Sequence, residues 1–401
     1  MDYFKAVLAF AVSSLLIVYT AFSFMPFSAE SAVIELEAEL NGSISNNSML
    51  EGIDCKSAAV FECGTGTMLA AKDSNKRIPA GHMSKLAVFL AAAKLIEKGE
   101  LSPDDIVTVS AKANSMGDPQ IWLDAGEKIS VKELMLAISV GNANDACVAL
   151  AEHISNKASD FTTLLPEINS SEDVKFNSFI DYYFHITENG ISSAKLCNIC
   201  SELVKLKDFS SYFTTWMETV RNGKAELVSR NRLIRTYKGI HGFKVCYSEA
   251  SGYCAAICAE KGDMTVCCVL LGASDEDRLL SDCATLLDAS FSGFEVYYPE
   301  IPEEALLSVT VKHGQREQCD TSMPGLHPII IIKGTYKSIS CEFALNNIVT
   351  APAPKGASVG NIRFLSDGKE ILSSDITLNE TLKEVDIWFN LHKLLFNLLN
   401  L

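Results

Sequence analysis

Hydrophobic and polar positions follow different periods along the chain, and each change of period predicts a new element. Residues 57–73 alternate around a Gly-Thr-Gly break, which predicts a β-hairpin. Residues 82–99 show a strongly apolar helical pattern that ends at Gly99, a residue typical of helix C-termini. Residues 242–273 contain three apolar runs separated by turns, which predicts three strands. A hairpin followed by helices and then strands predicts an α+β domain with an antiparallel sheet.

Three more helices are predicted between the hairpin and the strands. Ser130 and Glu133 have the spacing of a capping box and open a helix over the stretch VKELMLAISV. The next helix starts at Asn144, and either Asn142 or Asn144 can cap it. Residues 190–207 have a third helical pattern. These helices place a short polar loop, GNAN, between two apolar helices.

The pattern changes after residue 298, where prolines separate short apolar runs. The prolines stand at Pro299, Pro302, Pro324, Pro328, Pro352 and Pro354. Short apolar runs with turn residues between them predict a small all-β domain over residues 303–380. The α+β domain before it spans residues 51–296.

The last segment, residues 384–401, predicts an amphipathic helix. Its polar face consists of Asp386, Asn390, Lys393, Asn397 and Asn400, and its apolar face of Trp388, Leu391, Leu395 and Leu398. Such a helix can lie in a membrane interface. The alternative is a helix that packs on the β domain. Because the helix carries a single lysine, its attraction to anionic lipid is weak.

Residues 1–30 predict an export segment. One lysine, Lys5, precedes an apolar run, and small residues after the run form a candidate cleavage site. The alternative is an uncleaved anchor helix, for which the run is just long enough. In both cases the rest of the chain is exported. Residues 31–50 are rich in Asn and Ser and predict a linker.

The composition limits the size of the core and the class of partner. The chain has 401 residues, 48% of them hydrophobic and 21% charged, which predicts a globular protein with two or three domains. The formal net charge is −16. We therefore expect no nucleic-acid or polyanionic partner, because so acidic a chain has little to neutralise phosphates with.

The chain contains 13 cysteines, an odd number. Five of them lie in apolar runs, namely Cys147, Cys254, Cys258, Cys267 and Cys268. We expect these to behave as small buried hydrophobes rather than as a disulfide framework. Cys197 and Cys200 have the spacing of a redox or metal dyad. However, they lie in a helical pattern with neither a second pair nor a histidine nearby in sequence. We expect no metal site and no cofactor.

Three short stretches follow the outline of a serine acyl-transfer site. Such a site needs S-x-x-K at a helix start, S-x-N in a loop between helices and K-T-G on a strand. The first serine attacks the substrate carbonyl and the lysine one turn later takes its proton. The second serine and its asparagine relay the proton and hold the substrate amide. The strand lysine holds the substrate carboxylate, and the small Thr-Gly lets the backbone approach the acyl group.

Longer stretches around these motifs identify a family resemblance. Over roughly residues 50–380 the chain resembles the low-molecular-mass penicillin-binding proteins, which are D-alanyl-D-alanine carboxypeptidases, and especially their sporulation-associated members. Residues 116–154 resemble the family's stretch around its second motif, and residues 231–254 resemble the run through its third. Residues 351–364 resemble the β domain that follows. The C-terminal amphipathic helix is also a family feature.

The resemblance implies both a fold and an activity. The fold is a penicillin-binding/β-lactamase-like transpeptidase domain, with helices on an antiparallel sheet, followed by a small all-β domain and an amphipathic helix. The activity is the trimming of peptidoglycan stem peptides outside the cytoplasm. The positions that match the three motifs are His82, Lys85, Asn142, Asn144, Lys244, Val245 and Cys246.

The chain departs from the family pattern at each motif. His82 stands at the nucleophile position, Asn142 replaces the second serine, and Val245-Cys246 replaces Thr-Gly. Lys85, Asn144 and Lys244 are kept. We therefore predict no confident catalytic residue, and we retain Lys244 and Asn144 as candidates for substrate binding.

Three residues are considered as substitute nucleophiles. Ser84 lies about 200° around the helix from His82 and points away from the site. Cys246 sits where the family needs glycine backbone. His82 could accept an acyl group, but the proton relay lacks its serine. Since groups of such a site act as a unit, we disfavour each substitute.

Three functions remain open from the sequence. The first is a catalytically inactive envelope protein that binds peptidoglycan stem peptides or a protein partner, or acts as a scaffold, on the membrane surface. The second is an active serine-type carboxypeptidase with an unusual site. The third is a purely structural exported protein whose cleft is filled by the side chains of His82 and Val245.

Overall fold

The computed structural model describes residues 47–157 and 178–399. The predicted export segment and the predicted linker up to residue 46 lie outside the described residues. The last residues of that linker, Asn47–Leu50, form a 3-10 turn, and Leu50 is buried. Across the part of the chain that is described, no helix combines the length and the apolar character needed to cross a membrane.

The described elements follow the predicted order of a hairpin, then helices, then strands, with short strands between the helices. The helices are α1 (Lys85–Glu97), α2 (Ala111–Asn114), α3 (Val131–Ser139), α4 (Asn144–Lys157), α5 (Phe179–Asn189), α6 (Ser193–Lys205), α7 (Ser210–Thr214), α8 (Leu233–Thr236), α9 (Glu276–Gly293) and α10 (Ile387–Leu399). The strands of the first domain are β1 (Ser57–Glu62), β2 (Thr67–Lys72), β3 (Ile106–Thr108), β4 (Lys128–Ser130), β5 (Met217–Val220), β6 (Ala225–Val228), β7 (Ile240–Ser248), β8 (Gly252–Lys261) and β9 (Met264–Ala273). Those that follow are β10 (Phe294–Tyr297), β11 (Val309–Lys312), β12 (Gln318–Cys319), β13 (Thr321–Ser322), β14 (Ile329–Ile332), β15 (Ile339–Leu345), β16 (Ile348–Thr350), β17 (Ser358–Ser366) and β18 (Lys369–Leu378).

A five-stranded antiparallel sheet forms the centre of the first domain. Its order is β2-β1-β9-β8-β7, so the N-terminal hairpin pairs with the last strand of the later three-stranded meander. Helix α9 packs on β8 and β9, and α6 packs on β1 and β9. Strands β8 and β9 are buried on both faces, which explains why their sequences are continuously apolar rather than alternating.

Helix α1 lies in the middle of the helical part of the domain. Almost all of its residues are buried, and it packs against α3, α4 and α6. Phe89, near its centre, contacts the rings of Phe209 and Phe213. The predicted capping box at the start of α3 is present, because Ser130 and Glu133 bond each other's backbone. Helix α1 is therefore buried along most of its length and packed on three sides, and its first residue belongs to the site described below.

The second domain is all-β, as the sequence predicts. A three-stranded sheet, β12-β11-β16, and a four-stranded sheet, β13-β18-β17-β15, enclose a small core around Ile362, Phe364 and Ile376. Strand β17 shows the burial alternation of a sheet with one open face. Strand β10 pairs with β14, so residues 294–297 already belong to a sheet with the second domain.

Helix α10 is present where the amphipathic pattern predicts it. Asp386 caps it by accepting a hydrogen bond from the Phe389 backbone N–H at 2.6 Å. Its apolar side chains are exposed, Trp388 by 77% and Leu398 by 62%. The alternative of a helix whose apolar face packs on the β domain is therefore not what the structure shows.

Candidate active site

The first motif lies where the chain enters helix α1. A 3-10 turn, Gly81–Ser84, leads directly into the helix. It places His82 at the edge of a cleft and Lys85 one turn later, fully buried. The Lys85 Nζ lies 3.2 Å from the His82 Nδ1. The motif predicts a serine side chain one helical turn before the buried lysine. The structure has this arrangement, but the His82 imidazole takes the place of the serine hydroxyl.

The second motif lies in the loop between α3 and α4. Asn142 takes the left-handed conformation, with φ at 60°, which Asn tolerates better than most residues. Next to it, a Cβ atom at Gly141 would lie 2.6 Å from the Leu227 Cδ2, so a larger residue there would need the Leu227 side chain to shift. Asn142 then accepts two hydrogen bonds, one from the Lys85 Nζ to its backbone oxygen and one from the Lys244 Nζ to its Oδ1 at 2.8 Å. Asn142 thus links both lysines, a role that was not foreseen from the sequence.

The third motif lies on β7. Gly242 has a φ of 102°, and a Cβ there would lie 2.6 Å from the Phe213 Cβ, so only glycine fits at this point of the strand. Two residues later, the Lys244 Nζ also donates to the Ile138 backbone oxygen at 2.7 Å. Val245 lines the cleft, whereas Cys246 is buried beside Cys254 on the neighbouring strand.

The charges of the site follow from burial. Burial and the nearby Lys244 ammonium lower the pKa of Lys85 to about 7. Burial lowers the pKa of Lys244 to about 8. Burial and the charge of Lys85 lower the pKa of His82 to about 4, so its imidazole is neutral at neutral pH. Within the described residues, neither lysine pairs with a carboxylate. The bottom of the cleft is therefore basic in an otherwise acidic protein.

A buried carboxylate orders the loop at the cleft entrance. Asp145 is fully buried and accepts hydrogen bonds from the backbone N–H groups of Ile121, Leu123 and Ala146. Its neighbour Asn144 donates its amide N–H to the backbone oxygens of residues 117 and 118, at 2.8 and 3.0 Å, and also hydrogen-bonds His82. The Asn144 amide is thus already used to hold the loop and the histidine.

The three motifs surround a cleft of about 500 Å³. Because this volume is open, the side chains of His82 and Val245 do not fill it. The lining also includes residues that the sequence analysis did not single out, namely Trp122, Phe243, Ser229, Arg230 and Tyr247. The basic run RNRLIR was the one sequence signal for Arg230, whose guanidinium pairs with Glu276 at 2.6 Å.

None of the hydroxyl groups among the described lining residues contacts a lysine. The Ser139 Oγ donates to the Met135 backbone oxygen, and the Ser229 Oγ accepts from the Asn231 N–H. Ser84 does not line the cleft, because its Oγ is buried against Thr187 at 2.8 Å. In the part of the chain that the structure describes, Lys85 and Lys244 hydrogen-bond only His82, Asn142 and Ile138. The cleft therefore contains a base without a hydroxyl nucleophile.

Cys246 is also poorly placed to act as a thiol nucleophile. It is buried, and a hydrogen bond with Cys254 together with burial raises its pKa well above the usual value. The nucleophile of a thiol enzyme is the thiolate, which this environment disfavours. Of the two lysines, Lys244 lines the cleft, where it can face an anion, whereas Lys85 is buried behind it. The neutral His82 imidazole also lines the cleft.

Comparisons with known proteins agree on one family. A family model described as D-alanyl-D-alanine carboxypeptidase matches residues 44–275. The chain is 30% identical over 336 residues to the D-alanyl-D-alanine carboxypeptidase DacF of Bacillus subtilis, covering 82% of this chain and 86% of the relative. It is 22% identical to DacC of Escherichia coli, covering 83% and 85% of the two chains.

Solved structures share the fold. Penicillin binding protein 5 from Haemophilus influenzae superimposes with a TM-score of 0.69 at 21% identity, covering 83% of this chain and 98% of its own. The carboxypeptidase DacD from Francisella tularensis superimposes with a TM-score of 0.63 at 18% identity, covering 85% and 96%. Both similarities extend over the helix–sheet domain and the β domain that follows it.

Proposed function

The chain belongs to the D-alanyl-D-alanine carboxypeptidase family, and from that premise we propose that it is a catalytically inactive member that binds peptidoglycan stem peptides at the cell envelope. Its cleft keeps the groups that can recognise a peptide carboxylate and lacks those that attack a carbonyl. The alternative ligand is an envelope protein that the same cleft would bind. In either case the chain acts as a binding or scaffold protein.

One observation carries the proposal. All the hydrogen bonds of Lys85 and Lys244 go to His82, Asn142 and Ile138, and none goes to a hydroxyl among the described residues. Acyl transfer by this family's chemistry needs a nucleophile that hydrogen-bonds its base. Removing one member of such a unit costs nearly as much rate as removing all of them. Replacements in all three motifs therefore argue for loss of the reaction.

The charges of the cleft support binding. Lys244 lies on the strand edge of the cleft, and a ligand carboxylate near it would favour its charged form, as an opposite charge does. Arg230 also lies at the rim, but its charge is already paired with Glu276. Asn144, the other binding candidate, has its amide N–H groups engaged by the loop at residues 117–118. Lys244 is thus the stronger of the two candidates for holding the terminal carboxylate.

An active carboxypeptidase with an unusual site is the second candidate function. The observation in its favour is the contact of His82 Nδ1 with Lys85 Nζ at 3.2 Å, which places a base beside an imidazole that lines the cleft. Attack on the penultimate carbonyl would form an acyl-imidazole and release D-alanine after it gains a proton, and water would then hydrolyse the acyl group. The missing proton relay argues against this route.

Export and membrane association complete the proposal. The exposed apolar face of α10 supports attachment to a membrane surface, and the predicted export segment would place the chain outside the cytoplasm. Binding of the full chain to lipid vesicles, and its loss on removal of residues 387–401, would test the attachment. A role in sporulation rests on the sequence resemblance alone.

Penicillin labelling tests the loss of chemistry. The natural chain and a variant with His82→Ser, Asn142→Ser, Val245→Thr and Cys246→Gly are incubated with a fluorescent penicillin and analysed by gel and intact mass. We expect no adduct on the natural chain and one adduct on the restored variant. One adduct on the natural chain would overturn the proposal, and peptide mapping would identify the nucleophile.

Calorimetry tests the binding. A stem peptide that ends in a free D-Ala-D-Ala carboxylate is compared with the same peptide as its C-terminal amide, both with the natural chain. We expect the carboxylate peptide to bind about tenfold or more tightly, the usual value of a charge-assisted hydrogen bond. Equal affinities, or no binding of either peptide, would contradict stem-peptide binding and favour a protein partner.

A further inference from the structure

A cluster of cysteine thiols lies in the core of the first domain, away from the cleft. The Sγ atoms of Cys200, Cys258 and Cys267 are all within 4.8 Å of one another, and all three residues are fully buried. Cys200 lies on α6, whereas Cys258 and Cys267 are directly opposite each other on β8 and β9. The packing of the helix on the sheet therefore brings together thiols from three elements.

A fourth thiol lies next to this cluster. Cys197 precedes Cys200 by one helical turn, is fully buried and hydrogen-bonds Cys267. The two helix cysteines have the C-x2-C spacing that is common in structural zinc sites. The second pair was not visible from the sequence, because Cys258 and Cys267 are separated by a turn and meet only through the antiparallel register.

The chemistry of the cluster suits one class of metal ion. Four sulfurs without a carboxylate or imidazole form a soft ligand set, which selects zinc or iron–sulfur centres over magnesium or calcium. Zinc binds thiolates at about 2.3 Å, so sulfurs around a tetrahedral ion are about 3.8 Å apart. The sulfurs of Cys200, Cys258 and Cys267 lie within 4.8 Å of one another and need only a small contraction of side chains. The Cys197 sulfur is not within that distance of all three and must also move toward the ion. A multi-iron cluster needs more space than a single ion.

A thiol on the opposite face of the same sheet provides a geometric contrast. Cys268 hydrogen-bonds Cys283 there, but among the described residues it belongs to no group of three thiols as close as that of Cys200, Cys258 and Cys267. Thiolate is the form that binds metals, so several thiols must meet to share one ion.

We propose that Cys200, Cys258 and Cys267, with Cys197 as the fourth ligand, form a structural zinc site that joins helix α6 to strands β8 and β9. Each thiol that binds as thiolate releases one proton, so binding weakens as the pH falls. Because the cluster is fully buried, the ion enters during folding rather than through the finished surface. The site stands apart from the cleft and does not depend on the function proposed for it.

Metal analysis of the full chain tests the site. The chain is unfolded, stripped of metal, and refolded under reducing, oxygen-free conditions with zinc, with cobalt or with a chelator. We expect about one zinc ion per refolded chain. The cobalt form should show thiolate-to-cobalt charge-transfer absorption and the intense visible bands of a tetrahedral site. The chelator-treated chain should have a lower Tm than the zinc-loaded chain.

Two variants provide the matched comparison. Cys258→Ala removes a proposed ligand, and Cys268→Ala removes an equally buried thiol from the other face of the same sheet. We expect the first variant to lose the bound zinc and the cobalt spectrum, and the second to keep both. Equal zinc contents in the two variants would overturn the proposal.

The natural chain alone also decides the question if a variant fails to fold. A refolded chain without zinc, in which all 13 thiols react after denaturation, would overturn the site and leave the cysteines as buried hydrophobes. A mapped disulfide within the cluster, with an intact mass lower by two hydrogens, would overturn it as well. Identical Tm values with zinc and with chelator would have the same consequence.

Discussion

The two domains differ in what they bury. In the described part of the first domain, five charged side chains lie almost entirely out of solvent, namely Glu62, Lys85, Asp145, Arg221 and Lys244. The described residues of the second domain bury no charged side chain, and their one buried polar residue is Ser374. Burying a charge is costly unless it is paired or hydrogen-bonded. The first domain therefore carries a cost that the second avoids.

The hydrogen-bond partners of these buried charged side chains distinguish the three structural residues from the two lysines of the cleft. Glu62 and Asp145 accept backbone N–H groups, and Arg221 forms a two-bond pair with Glu127. Among the described residues, the two lysines have only neutral partners: carbonyl oxygens, an amide oxygen and an imidazole. An uncompensated buried lysine contributes little to stability. The anionic ligand proposed for the cleft would give Lys244 the charged partner that it lacks among these residues.

Asp145→Ala is expected to have the largest effect on the free energy of unfolding. It tests whether a buried charge stabilises the first domain. The substitution leaves the N–H groups of Ile121 and Leu123 buried without acceptors, each a cost of about 1 to 3 kcal/mol. We expect a loss of about 4 kcal/mol in the free energy of unfolding, measured by urea denaturation. Asp145→Asn, which keeps one acceptor oxygen, should lose less. A loss below about 1 kcal/mol would show that buried charge does not hold the cleft loop.

Phe364→Ala tests whether the second domain depends on apolar packing alone. The ring is 1% exposed and contacts the Tyr297 ring edge-on at 6.3 Å. Removing it should destabilise the β domain by about 3 kcal/mol, seen by calorimetry as a lower transition for that domain. Phe343→Ala, on a neighbouring strand but 38% exposed, is the matched control and should have a much smaller effect. Equal losses would contradict the assigned core.

Much of the scaffold could be predicted from local pattern. The hairpin at residues 57–73, the capping box at Ser130 and the three strands after residue 240 depend on neighbours in sequence, and the structure confirms them. The family followed from long stretches around the motifs and is confirmed by the comparisons. The fold class could therefore be predicted from the sequence alone.

The parts that sequence did not reveal depend on register and on backbone conformation. Asn142 appeared to be a lost serine, but its left-handed backbone directs both its oxygens to lysines. Cys258 and Cys267 meet only because β8 and β9 pair in one register. The Asp145 carboxylate accepts hydrogen bonds from a loop more than twenty residues earlier in the chain, so its role could not be predicted from its neighbours in sequence. The assignment of the cleft as inactive remains a prediction.

The pH dependence of stability tests the uncompensated lysines. The folded-state pKa of Lys85, about 7, lies below its ordinary value of 10.5, so between these values the unfolded chain binds more protons and stability rises with pH. In Lys85→Met this contribution is absent, while the effects of the thiols are common to both proteins. The stability of the natural chain relative to the variant should rise by up to about 1.4 kcal/mol per pH unit above pH 7.

Urea denaturation of the two proteins at several pH values from about 7.5 to 9.5 measures this difference. Lys312→Met, in the second domain, is the control, because its side chain is exposed and keeps its solvation in the folded state. A stability difference between the natural chain and Lys85→Met that stays constant with pH would mean that Lys85 is compensated after all. The contrast between the two domains would then lose its main support.

The smallest expected effect concerns a charge pair that the second domain leaves in solvent. Glu342 and Arg363 face each other across β15 and β17, with Arg363 Nη2 3.1 Å from Glu342 Oε2. Their side chains are 59% and 46% exposed, so water and salt screen the attraction. Arg363→Ala should cost less than about 0.5 kcal/mol in the free energy of unfolding, and still less in high salt.

A loss above about 1 kcal/mol that persists in high salt would show that this pair stabilises its sheet as the buried groups stabilise the first domain. Charge would then matter equally in both domains, and burial alone could not explain why the lysines of the cleft are retained.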